Sequence, residues 1–189
     1  MITLIIVDCQ NDFITGTMSV KGARNVVDEI KKFIKNYKDK IEKIIFTIEW
    51  HPYNHSSFKK FGGECPSHCV QFTPGACIEP KLLKFVQSFD INYEVSTRGE
   101  IEETTELGAF YEIEYTQDIF GGRYYFDSIV TADAESEFVI CGVSNAVSNT
   151  INNMLKENII PKVFCPGIIS NDGGKTFSEF MKLNQLEKV

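Results

Sequence analysis

The stretch Phe138-Val139-Ile140-Cys141-Gly142-Val143, with Asn145 to Glu157 directly behind it, decides the fold. The first part is a short continuous apolar run, too short for a buried helix and suited to a buried strand. Behind it Val147, Ile151, Met154 and Leu155 recur at helical spacing. A strand that feeds a helix in this way is half of a βαβ unit. Working outward, Leu4 to Val7 is a second apolar run and ends at Asp8. Val26, Val27, Ile30, Phe33 and Ile34 mark an amphipathic helix over Val26 to Tyr37. Ile44 to Ile48 is a strand that leads into Glu49, and Lys81 to Ser88 is a short helix or turn. Tyr93 to Thr97 reads as a further strand, and Lys162 to Cys165 as a final one after Pro161. Strands alternate with helices, and they are continuous apolar runs rather than alternating ones. That predicts a parallel sheet covered on both faces, an α/β fold with three layers, α/β/α.

The 189 residues favour one compact domain spanning 1–189, with no internal repeat, low-complexity tract or linker. Gly99 to Gly122 is acidic and loop-like, and is the least readable stretch. Apolar residues make up 43% and charged residues 24%, which is ordinary for a soluble globular protein. Nineteen basic against 26 acidic residues give a net charge of −7, which argues against a broad nucleic-acid footprint. No apolar run approaches a membrane span, and Met1 to Val7 has neither the length nor the basic leader of a signal peptide. The expectation is a cytoplasmic protein, with no membrane partner and with six free thiols rather than disulfides.

In a parallel sheet the ligand sits beyond the carboxyl ends of the strands. Asp8, Glu49, His51, Arg98 and the turn Gly142 to Ser148 stand at those ends. All three histidines fall in two short segments, Glu49-Trp50-His51-Pro52-Tyr53-Asn54-His55 and Cys65-Pro66-Ser67-His68-Cys69. Glu49 and His51 alternate, so at a strand end both side chains point to one face. His68 closes the set from a following loop. One carboxylate and two imidazoles suit a borderline divalent cation, with room left for water or substrate. Zinc is the first expectation, and iron or manganese also fits. His55 is read as structural, orienting the loop.

The residues also resemble a family. Val7-Asp8-Cys9-Gln10-Asn11-Asp12-Phe13 is similar to the VDxQNDF opening of the nicotinamidase (pyrazinamidase) branch of the isochorismatase-like hydrolases. Trp50 to Phe58 resembles that branch's WHPxxHxSF run, and Pro66 to Gln71 with Thr73 to Ala76 resembles its second histidine segment. The resemblance implies an amidase chemistry in which an Asp, a Lys and a Cys act together and a metal holds a pyridine nitrogen. Asp8 matches the Asp, while His51 and His68 match the histidine ligands. Glu49 stands where the carboxylate ligand is normally Asp. Arg98 falls at the place of the Lys, and Ser148 at the place of the nucleophilic Cys. The resemblance further implies self-association into a homo-oligomer. It places Val143 and Ser144 in a turn, often with a cis bond, whose backbone N–H groups face the pocket.

These two changes bear on the chemistry. A thiol ionises near neutral pH, whereas a serine hydroxyl needs an efficient base within reach. Arginine stays charged and cannot exchange protons as a depressed lysine can, though it stabilises an oxyanion. Cys141, one residue before Gly142, reads as a small buried core residue, and Cys9 as facing away from Asp8. Phe13 and Trp50 either pack against a flat ligand ring or belong to the core. The residues thus point to a divergent metal-dependent hydrolase of a small amide or N-heterocycle, which uses Asp8 with Ser148 or with a water activated by the metal. The alternatives are a catalytically inactive relative that binds a small ring ligand through the metal, and a metal site that is purely structural.

Overall fold

The computed structural model describes residues 1–98, 113–114, 136–143, 146–156, 158–169, 172–173 and 175–189. Six strands lie in one sheet among these residues: β1 (Ile2–Val7), β2 (Ile41–Glu49), β3 (Asn92–Arg98), β4 (Ile113–Glu114), β5 (Glu137–Val143) and β6 (Lys162–Ile169). Their order is β4-β3-β2-β1-β5-β6, and every neighbouring pair is parallel. The helices are α1 (Asn11–Ile14), α2 (Ala23–Tyr37), α3 (Pro80–Gln87), α4 (Ala146–Lys156) and α5 (Lys175–Leu183). The acidic stretch Gly99 to Gly122 lies outside the described residues apart from β4.

The alternation of side chains along the strands builds two cores. Leu4, Ile6, Ile44, Phe46, Ile48, Val139 and Cys141 face one side and pack with Val26, Val27, Ile30, Phe33 and Ile34 of α2 and with Leu82 and Val86 of α3. Ile5, Val7, Ile45 and Ile140 face the other side, with Val147, Ile151 and Met154 of α4 and Phe177 and Met181 of α5. The chain winds from β1 outward through β2, then restarts at β5 on the other flank of β1. Parallel crossovers are right-handed, so this reversal puts α2 and α4 on opposite faces. It also makes the ends of β1, β2 and β5 a topological switch point, the place where open α/β sheets generally bind ligands. The predicted three-layer α/β architecture is therefore observed.

The element boundaries add two findings. The last strand runs on to Ile169, past the predicted Cys165, and α5 follows it. That helix buries Phe177 and Met181, and Asp172 Oδ2 accepts from Thr176 N–H at 2.9 Å at its start. No helix among the described residues is long and apolar enough to cross a membrane.

Gly142 is the tightest point of the sheet. It has φ +141°, and a Cβ there would lie 2.1 Å from the Val7 carbonyl oxygen. Any larger residue must push β5 off β1 at the switch point. Gly142→Ala is expected to lower the stability measured by urea denaturation by at least about 3 kcal/mol, or to prevent folding. A loss below about 1 kcal/mol would show that the sheet absorbs the side chain there.

Candidate metal centre and strand-end site

Register brings the distant polar residues to one edge. Val7 is paired with Thr47 on one side and with Gly142 on the other, so β5 ends one residue and β2 two residues beyond the end of β1. Glu49 is paired with the backbone of Arg98. Asp8 then leaves the sheet in the left-handed region, with φ 53°, and its N–H donates to the Thr47 carbonyl at 2.9 Å. Aspartate is one of the few side chains that tolerate this conformation. The residue is wholly buried.

Glu49, His51 and His68 converge as expected. Glu49 Oε2 lies 3.2 Å from His51 Nε2 and 3.1 Å from His68 Nε2. The three ligand atoms all lie within 4.8 Å of one another. A tetrahedral zinc with ordinary bond lengths separates its ligand atoms by about 3.4 Å, so the donor set fits such an ion with small adjustments. His68 Nδ1 donates to the Pro66 carbonyl at 2.8 Å. That assigns the remaining lone pair to Nε2, which faces a carboxylate oxygen. Two acceptors do not approach this closely without a proton or a cation between them.

The protonation of His68 reflects this. Burial opposes its charge, but the hydrogen bonds to Glu49 and to the Pro66 carbonyl, with the negative charges of Glu49 and Asp12, outweigh burial and raise its pKa. A metal ion would take the place of that proton, so uptake releases a proton and weakens at low pH. His51 lacks a matching support among the described residues, where its Nδ1 is buried and meets no hydrogen-bond partner. Its ring instead stacks on His55, with centroids 4.2 Å apart. His55 Nδ1 accepts from the Ser57 N–H at 3.3 Å and lies 2.6 Å from Ser57 Oγ.

Sequence reading missed the residues that hold the two histidine segments to the sheet. Gln10 is wholly buried. Its Oε1 accepts from Glu49 N–H, and its Nε2 donates to the carbonyls of Glu49 and Ala76, each at 2.7 Å. Asn11 Nδ2 donates to the Pro74 carbonyl at 2.7 Å. Asp12 Oδ2 accepts from Cys69 N–H at 2.7 Å, and Oδ1 from Thr17 N–H at 3.2 Å. A Cβ on Gly75 would lie 2.2 Å from Asp12 Oδ2, which explains a glycine in the Thr73 to Ala76 run. The segments also pair with each other: His51 N–H donates to the Cys69 carbonyl at 2.9 Å, and Gln71 N–H to the His51 carbonyl at 2.8 Å. Of these peptide groups, the buried Ala76 carbonyl and Cys69 N–H would each cost about 1–3 kcal/mol if left unpaired.

The other expected residues fall as follows. Phe13 is buried with its ring edge-on to His68, at a centroid distance of 5.9 Å. Trp50 is 6% exposed and belongs to the α2-side core, with its ring against Phe72. Val143 is buried at the end of β5. Ser144 and the Val143–Ser144 bond lie outside the described residues, and for Arg98 the backbone position alone is described. Ser148 is half-buried in the first turn of α4. Cys141 is buried with its thiol directed at the Ile5 carbonyl, 3.6 Å away, and burial pushes the thiol well above its usual range. Cys9 is buried as well, and burial, with Cys141 and Asp8 nearby, raises its thiol in the same way.

Residues 3–89 match the isochorismatase domain family. A nicotinamidase of Escherichia coli (strain K12) is 33% identical over 95 residues, covering 42% of this chain and 45% of that protein. A nicotinamidase of Saccharomyces cerevisiae is 37% identical over 139 residues, covering 60% and 63%. The chain thus spans less than half of the first relative's length and under two thirds of the second's. Among solved structures, the yeast nicotinamidase bound to the inhibitor nicotinaldehyde superposes with TM-score 0.79 at 21% identity, covering 100% of this chain and 99% of that one. The pyrazinamidase of Pyrococcus horikoshii in complex with zinc gives TM-score 0.72 at 24% identity, covering 100% and 98%. These structural likenesses establish a common fold.

The donor set makes a direct prediction. Wild-type protein is expected to gain about 2.7 kcal/mol of apparent stability when free zinc is a hundred times its dissociation constant. His68→Ala should weaken zinc binding at least about 100-fold, and chelation should leave the far-ultraviolet circular dichroism unchanged. Equal zinc affinity in the variant, measured by competition with a chromophoric chelator, would remove His68 from the site.

Proposed function

We propose, for a chain whose residues 3–89 carry an isochorismatase domain and whose likeness is to the nicotinamidase branch, that it is a divergent hydrolase of a small amide borne on an N-heterocycle. The observation that carries this reading is the convergence of Glu49 Oε2 with His51 Nε2 and His68 Nε2 at the strand-end edge to which Asp8 belongs. A divalent ion held there, with zinc the first choice, supplies a Lewis-acid anchor for a ring nitrogen. Phe13, edge-on to His68, supplies apolar surface beside that anchor. Asp8 is assigned the proton transfers, and Ser148 stands where the nucleophile is expected. The arginine at position 98 contributes a fixed positive charge toward a developing oxyanion.

A second reading, a ring-binding protein without turnover, is favoured by the cysteines. Cys9 and Cys141 flank the catalytic positions in sequence, yet both are buried and their thiols are held protonated. Neither therefore replaces a thiolate missing at position 148.

Ammonia release from nicotinamide separates the two readings. The metal-replete protein is expected to release ammonia slowly, and Asp8→Ala to reduce the rate at least about 100-fold. Ser148→Cys should raise the rate, and more so when combined with Arg98→Lys. If the double variant alone turns over while wild type binds nicotinamide saturably, the binding reading holds. If no form binds or hydrolyses nicotinamide, the N-heterocycle assignment fails.

A further inference from the structure

We propose that Gln10 is a positioning residue for the metal centre: its side-chain amide takes the place of a neighbouring strand and fixes the backbone from which Glu49 reaches the ion. This rests on the metal reading of Glu49, His51 and His68. Strand β1 stops at Val7, because Asp8 turns the chain into the left-handed region. Strand β2 runs two residues further than Val7's partner Thr47, so Glu49 has no β1 residue beside it. Gln10 fills that gap. A primary amide presents one acceptor and two donors, and here all three are used. Oε1 takes the Glu49 N–H, one Nε2 hydrogen goes to the Glu49 carbonyl and the other to the Ala76 carbonyl, each at 2.7 Å.

Because a peptide N–H can only donate and the two carbonyls can only accept, the orientation of the amide is settled. The first two bonds reproduce what an adjacent peptide would offer β2. The third reaches the end of the loop that carries His68. Gln10 is therefore one wholly buried group in contact with both segments that supply ligands. Glutamate has one more side-chain torsion than aspartate, so the placement of its carboxylate depends more heavily on a fixed backbone.

Cobalt(II) is the probe, since its visible spectrum reports ligand geometry independently of turnover. Wild type, Gln10→Met, Gln10→Glu and the core control Ile34→Ala are titrated with cobalt(II), and their denaturant midpoints are measured without metal. Gln10→Met is expected to bind cobalt(II) about 10–100-fold more weakly, with altered band intensity. Ile34→Ala should lose stability while keeping the wild-type affinity and spectrum. Gln10→Glu keeps an acceptor for the Glu49 N–H and loses the donors to both carbonyls. It should weaken binding as well, and it answers the question if Gln10→Met does not fold. Wild-type affinity and spectrum in a folded Gln10 variant would overturn the proposal and leave Gln10 a purely structural residue. Absence of cobalt(II) binding by wild type would instead overturn the metal reading, and this inference with it.

Discussion

A carboxylate oxygen within hydrogen-bond distance of two imidazole nitrogens, and largely out of water, forms an arrangement that needs a proton or a cation between its acceptors. Hydrogen bonding to the Pro66 carbonyl commits His68 Nδ1 as the donor and leaves Nε2 to meet Glu49. Removing that positive charge leaves Glu49 Oε2 and His68 Nε2 as two acceptors facing each other in a poorly solvated place, a costly state. A proton serves in part, as the raised pKa of His68 indicates. A divalent cation serves all three groups at once. The surrounding loops are organised to keep these groups from relaxing apart.

That organisation depends on the ends of the sheet. Beyond Val7 and Glu49 the parallel ladder stops, and the two histidine segments must be attached by other means. Gln10, Asn11 and Asp12 do this in succession, bonding the peptide groups of Glu49, Pro74, Cys69 and Ala76. Three adjacent polar side chains reach segments 39, 66, 63 and 57 residues away. The stability of the loop and the geometry of the site are consequently the same set of hydrogen bonds. A substitution among these residues therefore acts on both.

The sheet was legible because parallel strands buried on both faces leave unbroken apolar runs, as in Ile44 to Ile48 and Phe138 to Val143. The cluster of candidate ligands was legible because His51 and His68 are two of the chain's three histidines, each in a short motif of its own. The final helix left a weaker signal. Phe177, Phe180 and Met181 have helical spacing, but Lys, Thr, Ser and Glu surround them over a single short stretch. The work of Gln10 and Asp12 was not legible for a physical reason. A glutamine or aspartate after a strand looks like any solvated loop residue until its distant partners are known. Trp50 shows the converse: an aromatic residue inside a site motif turned out to pack in the core.

The sheet also explains why a thiol elsewhere does not stand in at position 148. Cys141 alternates with Ile140 along β5 and faces α2, whereas α4, which carries Ser148, packs on the opposite face. The layer between them is the sheet itself. Ser148 lies in the first turn of α4, where the helix dipole favours negative charge by about 0.3–1 kcal/mol, or under one pKa unit. That increment is useful to a thiol, which ionises near pH 8.5. It is negligible for an alcohol, which ionises far above the range of a thiol. A serine at this position is a nucleophile only if its proton leaves as the new bond forms, and the transfer needs a base held in place. Among the residues at the strand ends Asp8 is the candidate base, and its burial and left-handed backbone give it a fixed position from which to act.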